Sequence, residues 1–146
     1  CEFDSVWLYS IAMSITTQLH EVLYVSTLNA GQPLTIIADI AAKARVFNES
    51  HNITGLLVFD GMRFCQQLEG ERKPVMALLE RIRQDPRHTD VEVLHHAPLA
   101  ERRFRRFSLG YTTVDDVDAL GKLEKLDGKA AMDFFVSLLS TLDLDA

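Results

Sequence analysis

Cysteine is nearly absent from this sequence: Cys1 and Cys65 are the only two in 146 residues. They cannot build a disulfide framework, and no CxxC or Cys/His spacing suggests structural zinc, so a reducing cytoplasm is the expected compartment. Basic residues are also short, 15 against 21 acidic for a net charge of −6. That balance disfavours nucleic acid or an anionic membrane as partner. Long apolar runs are missing too. The stretch from Val6 to Ile15 is too short to span a bilayer, and Glu2 and Asp4 stand where a secretory signal would carry positive charge.

The composition that remains, 47% hydrophobic and 25% charged, is that of an ordinary globular chain long enough for one buried core. Its acidity is uneven. Residues 1–112 carry 12 basic and 13 acidic groups, and residues 113–146 carry 3 and 8. Met13 followed by Ser-Ile-Thr-Thr resembles a natural start, so residues 1–12 are expected to be an extraneous or disordered N-terminal addition.

The pattern alternates between strand and helix. His20 to Thr27 is rich in β-branched and aromatic residues and is followed by turn chemistry at Asn29-Ala-Gly-Gln-Pro33. From Leu34 to His51, Ile37, Ile40, Ala41, Ala44, Phe47 and Asn48 recur at helical steps. Asn52 to Phe59 and Met62 to Glu69 form a hairpin about Asp60-Gly61, a dipeptide suited to a type I′ turn. Glu71 to Gln84 is a second amphipathic helix on Val75, Leu78, Leu79 and Ile82, with Pro74 tolerable in its first turn. After a loop at Asp85-Pro-Arg-His88, Val91 to Ala97 reads as a fourth strand, and Phe104 to Thr113 contains a fifth.

This βαββαββ order predicts an α+β, ferredoxin-like five-stranded mixed sheet with two helices on one face. The other face needs a cover, and the tail offers one: Ala131, Phe134, Phe135, Leu138, Leu139 and Leu142 form a helical stripe. A shorter helix over Asp115 to Lys125 precedes it. Arg102 to Arg106 reads as a solvated stretch with Phe104 turned inward. Cys65 falls on the sheet face opposite Phe64 and Gln66, as packing.

Several polar residues interrupt apolar faces. Phe64, Gln66 and Leu68 project together, as do Val22, Tyr24 and Ser26. Asn48 sits on the apolar stripe of the first helix. Singly these are ordinary: a tyrosine bonded to a carbonyl, an asparagine capping a helix. Together they are amide and hydroxyl groups without a charged or metal-binding partner, which suits the edge of a planar, neutral heteroaromatic ring. Arg87 and His88, with Asp85, could meet a phosphate or hydroxyl on its tail. Histidines 20, 51, 95 and 96 show no metal-site spacing.

With these motifs the chain resembles the BLUF (blue-light sensor using FAD) photoreceptor domains. The resemblance runs from about Glu21 to Tyr111. It rests on Leu23-Tyr-Val-Ser26, Asn48 followed by Ile53-Thr-Gly-Leu-Leu57, Phe64-Cys-Gln-Gln-Leu-Glu-Gly70, Asp85-Pro-Arg-His88 and Arg103-Phe104. It implies a sensor domain over 13–113 with a helical cap over 114–146, as in short, stand-alone members, and FAD bound between the two helices. By motif position Tyr24 would be the photochemical electron and proton donor, and Gln66 the amide bridging it to the flavin edge. Asn48 would hold the ring's carbonyl edge. Ser26, Ile40 and Phe64 would line the pocket, and Asp85, Arg87 and His88 would contact the ribityl and phosphate part. Rotation or tautomerisation of Gln66 would leave the flavin oxidised and its absorption shifted slightly to the red.

One departure is plain. Where the family often carries tryptophan and then methionine on the fifth strand, this chain has Phe107 and Leu109, so a Trp/Met exchange near Gln66 cannot operate. The chain is expected not to be an enzyme, with output through contacts in a homodimer or higher homo-oligomer or with a protein effector. Two other readings stand beside this one. One is a flavin-free ferredoxin-like regulatory or dimerisation module. The other is an acylphosphatase-like hydrolase, against which Leu28 to Gln32 offers no arginine.

Overall fold

A computed structural model describes residues 18–29, 35–105, 108–113 and 117–139. Among these residues five strands, β1 (Leu19–Leu28), β2 (Thr54–Phe59), β3 (Arg63–Glu71), β4 (His88–Leu99) and β5 (Gly110–Thr113), form one sheet. Among the described residues four helices accompany them: α1 (Ile36–Ser50), α2 (Arg72–Gln84), α3 (Val117–Leu123) and α4 (Gly128–Leu139). The strand order is β4-β1-β3-β2-β5, antiparallel except for the parallel β2–β5 pair. This is the expected α+β, ferredoxin-like mixed sheet. The β1-α1-β2 crossover leaves a gap that β3, returning by a hairpin, fills.

Alternation along the strands divides the core between two faces. On one, Val22, Leu68 and Ile53 pack with Val75 and Leu79 of α2, while Leu57, Phe59, Phe64 and Leu109 pack with Ile37 and Ala41 of α1. On the other, Leu23, Val25, Leu56, Val58 and Cys65 meet Leu120 and Leu123 of α3 and Ala131, Met132, Phe135 and Leu139 of α4. Cys65 is packing, as expected. Phe107, Leu142 and residues 1–12 lie outside the described residues.

Local details differ from the sequence pattern where long-range pairing decides. The hairpin turn is centred on Gly61-Met62, because the Asp60 amide donates to the Arg63 carbonyl at 3.2 Å. Gly61, at φ 98°, takes the first central position, which a II′ turn assigns to glycine. The Asp60 carboxylate closes the turn by accepting from the amides of Met62 and Arg63 at 2.9 and 2.6 Å. β4 is longer than its apolar run and includes His88, because pairing with β1 extends from Leu28 opposite His88 to Leu19 opposite Leu99.

Arg102 and Arg103 are not a solvated stretch. Arg102 donates to Thr54 Oγ1 at 2.7 Å and to the carbonyls of Glu69 and Asn52 at 3.2 and 2.7 Å. Arg103 Nε donates to the buried Glu21 carboxylate at 2.8 Å. Unmet carboxylates inside the sheet would be costly; the Arg103 side chain meets Glu21, and the backbone amides of Arg103 and Phe104 meet Glu69. Phe104 does turn inward, packing against the α4 side of the core.

Candidate functional site

Tyr24 on β1 and Gln66 on β3 are direct partners in the β1–β3 ladder, and Ser26 stands opposite Phe64. Facing residues in an antiparallel pair bring their side chains within reach of each other. The Tyr24 hydroxyl donates to Gln66 Oε1, both groups buried. Burial pushes the phenol's pKa up, reinforced by the nearby Cys65 and Asp85, so Tyr24 stays protonated and remains a donor. The Gln66 amide has no other partner among the described residues, which leaves its NH2 end to whatever occupies the adjoining space.

That space is a cavity of about 290 Å³ beneath α1 and α2, and its lining includes Tyr24, Ile40, Asn48, Phe64, Gln66, Asp85, Arg87 and His88. Eight of the nine expected residues are therefore brought together. Its volume lies near the lower end of small-ligand sites, roughly 300–1,000 Å³, so it admits a ring system more readily than a whole dinucleotide. Ser26 is the exception. It is buried but reaches the cavity only through His88, whose Nδ1 lies 2.8 Å from its hydroxyl. His88 Nε2 meets the Ile82 carbonyl at 2.6 Å, so the ring pins the end of α2 to β1.

Asn48 does not cap its helix. It is fully buried, with Nδ2 donating to the Ser108 carbonyl at 2.8 Å and Oδ1 unpartnered among the described residues. A buried acceptor left unmet at a cavity wall fits a ligand carrying a ring N–H. Asp85 and Arg87 are paired, with Arg87 Nε at 2.9 and 3.1 Å from the two carboxylate oxygens. The hydrogen bond from Arg87 outweighs burial and holds the Asp85 pKa below its usual range.

Seven further residues line the cavity without having shown a site signal in the sequence, among them Lys43, Phe47 and Arg81. The Arg81 guanidinium lies over the Phe47 ring, 4.6 Å from its centroid, and Phe47 stacks on His51 at 4.0 Å. Lys43 and Arg81 read as the polar faces of amphipathic helices. Only the convergence of α1 and α2 reveals a cavity with three cations and one carboxylate, an arrangement suited to an anionic group. No group of three metal-ligating side chains occurs among the described residues, nor does any helix there have the length and apolarity to cross a membrane.

A ferredoxin-like sheet with amides and a phenol gathered under two helices defines an α+β domain built to hold a planar, hydrogen-bonding ring. The family model described as BLUF, sensors of blue-light using FAD, matches residues 19–110, and the chain belongs to that family of flavin photoreceptors. Subunit beta of the photoactivated adenylate cyclase of Euglena gracilis is 39% identical over 93 residues, 64% of this chain and 11% of that protein. The blue light- and temperature-regulated antirepressor BluF of Escherichia coli is 32% identical over 104 residues, 68% of this chain and 26% of that protein. The chain thus spans a small part of these curated relatives. Among solved structures, BlsA in its photo-activated state superposes with a TM-score of 0.74 at 26% identity, covering 88% of this chain and 99% of that one. The dark state of BlrB, a BLUF protein, gives 0.66 at 32% identity, covering 77% and 86%. The residues present fit a flavin: Asn48 Oδ1 offers an acceptor, the Gln66 amide offers donors, and the cavity has the size of a ring system.

Proposed function

We propose that this chain binds FAD non-covalently and reports blue light by rearranging the hydrogen bonds of Tyr24 and Gln66. The bond from the Tyr24 hydroxyl to Gln66 Oε1, at the wall of a cavity lined by Asn48, carries the reading. The bound flavin would supply absorption in the blue and an excited ring able to draw an electron from a neighbouring phenol. Tyr24 would give it, with its proton held toward Gln66. Gln66 has an acceptor at one end of its amide and donors at the other. Exchanging the two ends withdraws the acceptor from Tyr24 and turns it toward the cavity. Asn48 would hold the ring edge, Ile40 and Phe64 would border the ring, and Ser26 would act by fixing His88. Asp85, Arg87 and His88 would hold the ribityl and phosphate portion, with Lys43 and Arg81 adding positive charge to the same cavity.

The sensor would occupy residues 13–113 and the helical cap 114–146. Output would pass through contacts of the cap with a second copy or a protein effector, in a cytoplasm where Cys65 stays a free thiol. The cyclase activity named for the Euglena relatives belongs to those proteins. A flavin-free module and an acylphosphatase-like hydrolase are both disfavoured by the family match and by the unmet acceptor of Asn48. Illuminating the purified, FAD-loaded protein tests the proposal. A small red shift that reverses in the dark is expected, absent in Tyr24→Phe and in Gln66→Leu although both still bind flavin. A protein that takes up no flavin, or a Tyr24→Phe variant with an unchanged shift, overturns it.

A further inference from the structure

Gln67 stands back to back with Gln66. Alternation along β3 turns Gln66 to the cavity and Gln67 to the face under α3 and α4, where it is fully buried. Gln67 Nε2 donates to two buried carboxylates, Glu21 Oε1 at 3.2 Å and Glu69 Oε1 at 3.0 Å. Its Oε1 meets no partner among the described residues. An apolar side chain could occupy the same place without leaving an acceptor unmet, so packing does not account for the amide.

The two carboxylates hold the segment between β4 and β5. Glu69 accepts from the backbone amides of Arg103 and Phe104 at 2.9 and 3.0 Å and from Thr54 Oγ1 at 2.7 Å. Glu21 accepts from Arg103 Nε at 2.8 Å and Nη2 at 3.2 Å. Phe104 meets Phe135 of α4 edge to face, with centroids 6.4 Å apart. Carboxylates that accept from several donors have nothing to give the amide oxygen, so Gln67 is locked with Nε2 toward them and cannot exchange its ends as Gln66 can. β2 adds to the rigidity: a Cβ at Gly55 would come within 1.9 Å of the Gln67 carbonyl oxygen, so the strands have no slack there.

We infer that Gln67 is a positioning residue that passes a displacement of β3 at Gln66 to residues 102–104 and, through Phe104, to α4. One peptide unit joins the pivoting amide to the locked one. A shift of that unit must move two carboxylates and the backbone they hold. This route crosses the sheet without residue 107 or a methionine at 109.

The inference rests on the photosensor reading, and one experiment separates the two. Amide hydrogen exchange of FAD-loaded protein is followed in the dark and under blue light, beside the visible spectrum. The parent is expected to show the red shift and a light-dependent exchange difference in residues 100–105 and 128–139. Gln67→Leu is expected to keep the red shift and lose that difference, an outcome that a merely structural role would not produce. An undiminished difference in Gln67→Leu overturns the inference, as does a parent with the red shift and no exchange difference. If Gln67→Leu does not take up FAD, Thr54→Val, which removes one donor from Glu69, replaces it: a reduced difference supports the route and an unchanged one overturns it. A parent without the red shift overturns the photosensor reading and the inference with it.

Discussion

Asn48 Nδ2 donates to the Ser108 carbonyl at 2.8 Å, while its Oδ1, in the same buried side chain, is left without a partner among the described residues. One end of the amide thus ties α1 to the approach to β5, and the other is a buried, unmet acceptor on a residue that lines the cavity. Asn48→Ala removes both. Flavin affinity is expected to fall about tenfold or more, following the roughly 1–3 kcal/mol carried by hydrogen bonds of this kind. Fluorescence titration checks it; an unchanged affinity would show that Oδ1 does not serve the ligand.

Arg81 is expected to separate phosphorylated from plain flavins. Its guanidinium is held over Phe47 at the cavity. Arg81→Ala is expected to weaken FAD and FMN by about 10- to 100-fold, the equivalent of one charge-assisted hydrogen bond, and to leave riboflavin nearly unaffected. Equal losses for all three would place Arg81 against the ring and not the phosphate.

Gly55 tolerates no side chain. A Cβ there would lie 1.9 Å from the Gln67 carbonyl oxygen, and the backbone sits at φ 155°. The obstacle is backbone, which cannot turn aside. Gly55→Ala should destabilise the protein by more than about 3 kcal/mol, seen as a lowered melting temperature by circular dichroism. Gly61→Ala, in open space at φ 98°, should cost about 1 kcal/mol.

Acid stability should depend on Glu21. Burial pushes its pKa up, but hydrogen bonds from Arg103 and Gln67 outweigh that, and the folded value lies below the ordinary 4.5. A depressed carboxyl stabilises the fold above its unfolded pKa, and that contribution is lost as pH falls through the folded value. Melting temperature should therefore decline below pH 4.5 in the parent and decline less steeply in Glu21→Gln. At neutral pH that variant should lose about 1–3 kcal/mol, less than a fully enclosed pair, because the Arg103 side chain is 37% exposed. Parallel pH profiles would remove Glu21 from the acid transition.

Much of the site is legible in the sequence. Period-two alternation sends Phe64, Gln66 and Leu68 to one face and Cys65 to the other, and the helical stripe from Ile37 places Asn48 inward. The roles of Arg102 and Arg103 are illegible there because their partners are remote: Glu69 precedes Arg103 by 34 residues and Glu21 by 82. A run of arginines is read locally as solvated, and only the folded sheet shows that the Arg103 guanidinium meets the buried Glu21 and that the backbone amides of residues 103 and 104 meet the buried Glu69. Ser26 is the converse, a residue on the right face whose hydroxyl turns to His88.

By itself the sequence determined the element order, the division of side chains between two sheet faces and the family motifs, because these follow from local periodicity and short-range spacing. The tertiary structure decided which remote residues meet: Tyr24 with Gln66 across the β1–β3 register, Arg81 with Phe47 where two helices converge, and Gln67 with Glu21 and Glu69 under the cap. Register and desolvation are long-range properties. They depend on which strand lies beside which and on what is left without water once the helices close over the sheet.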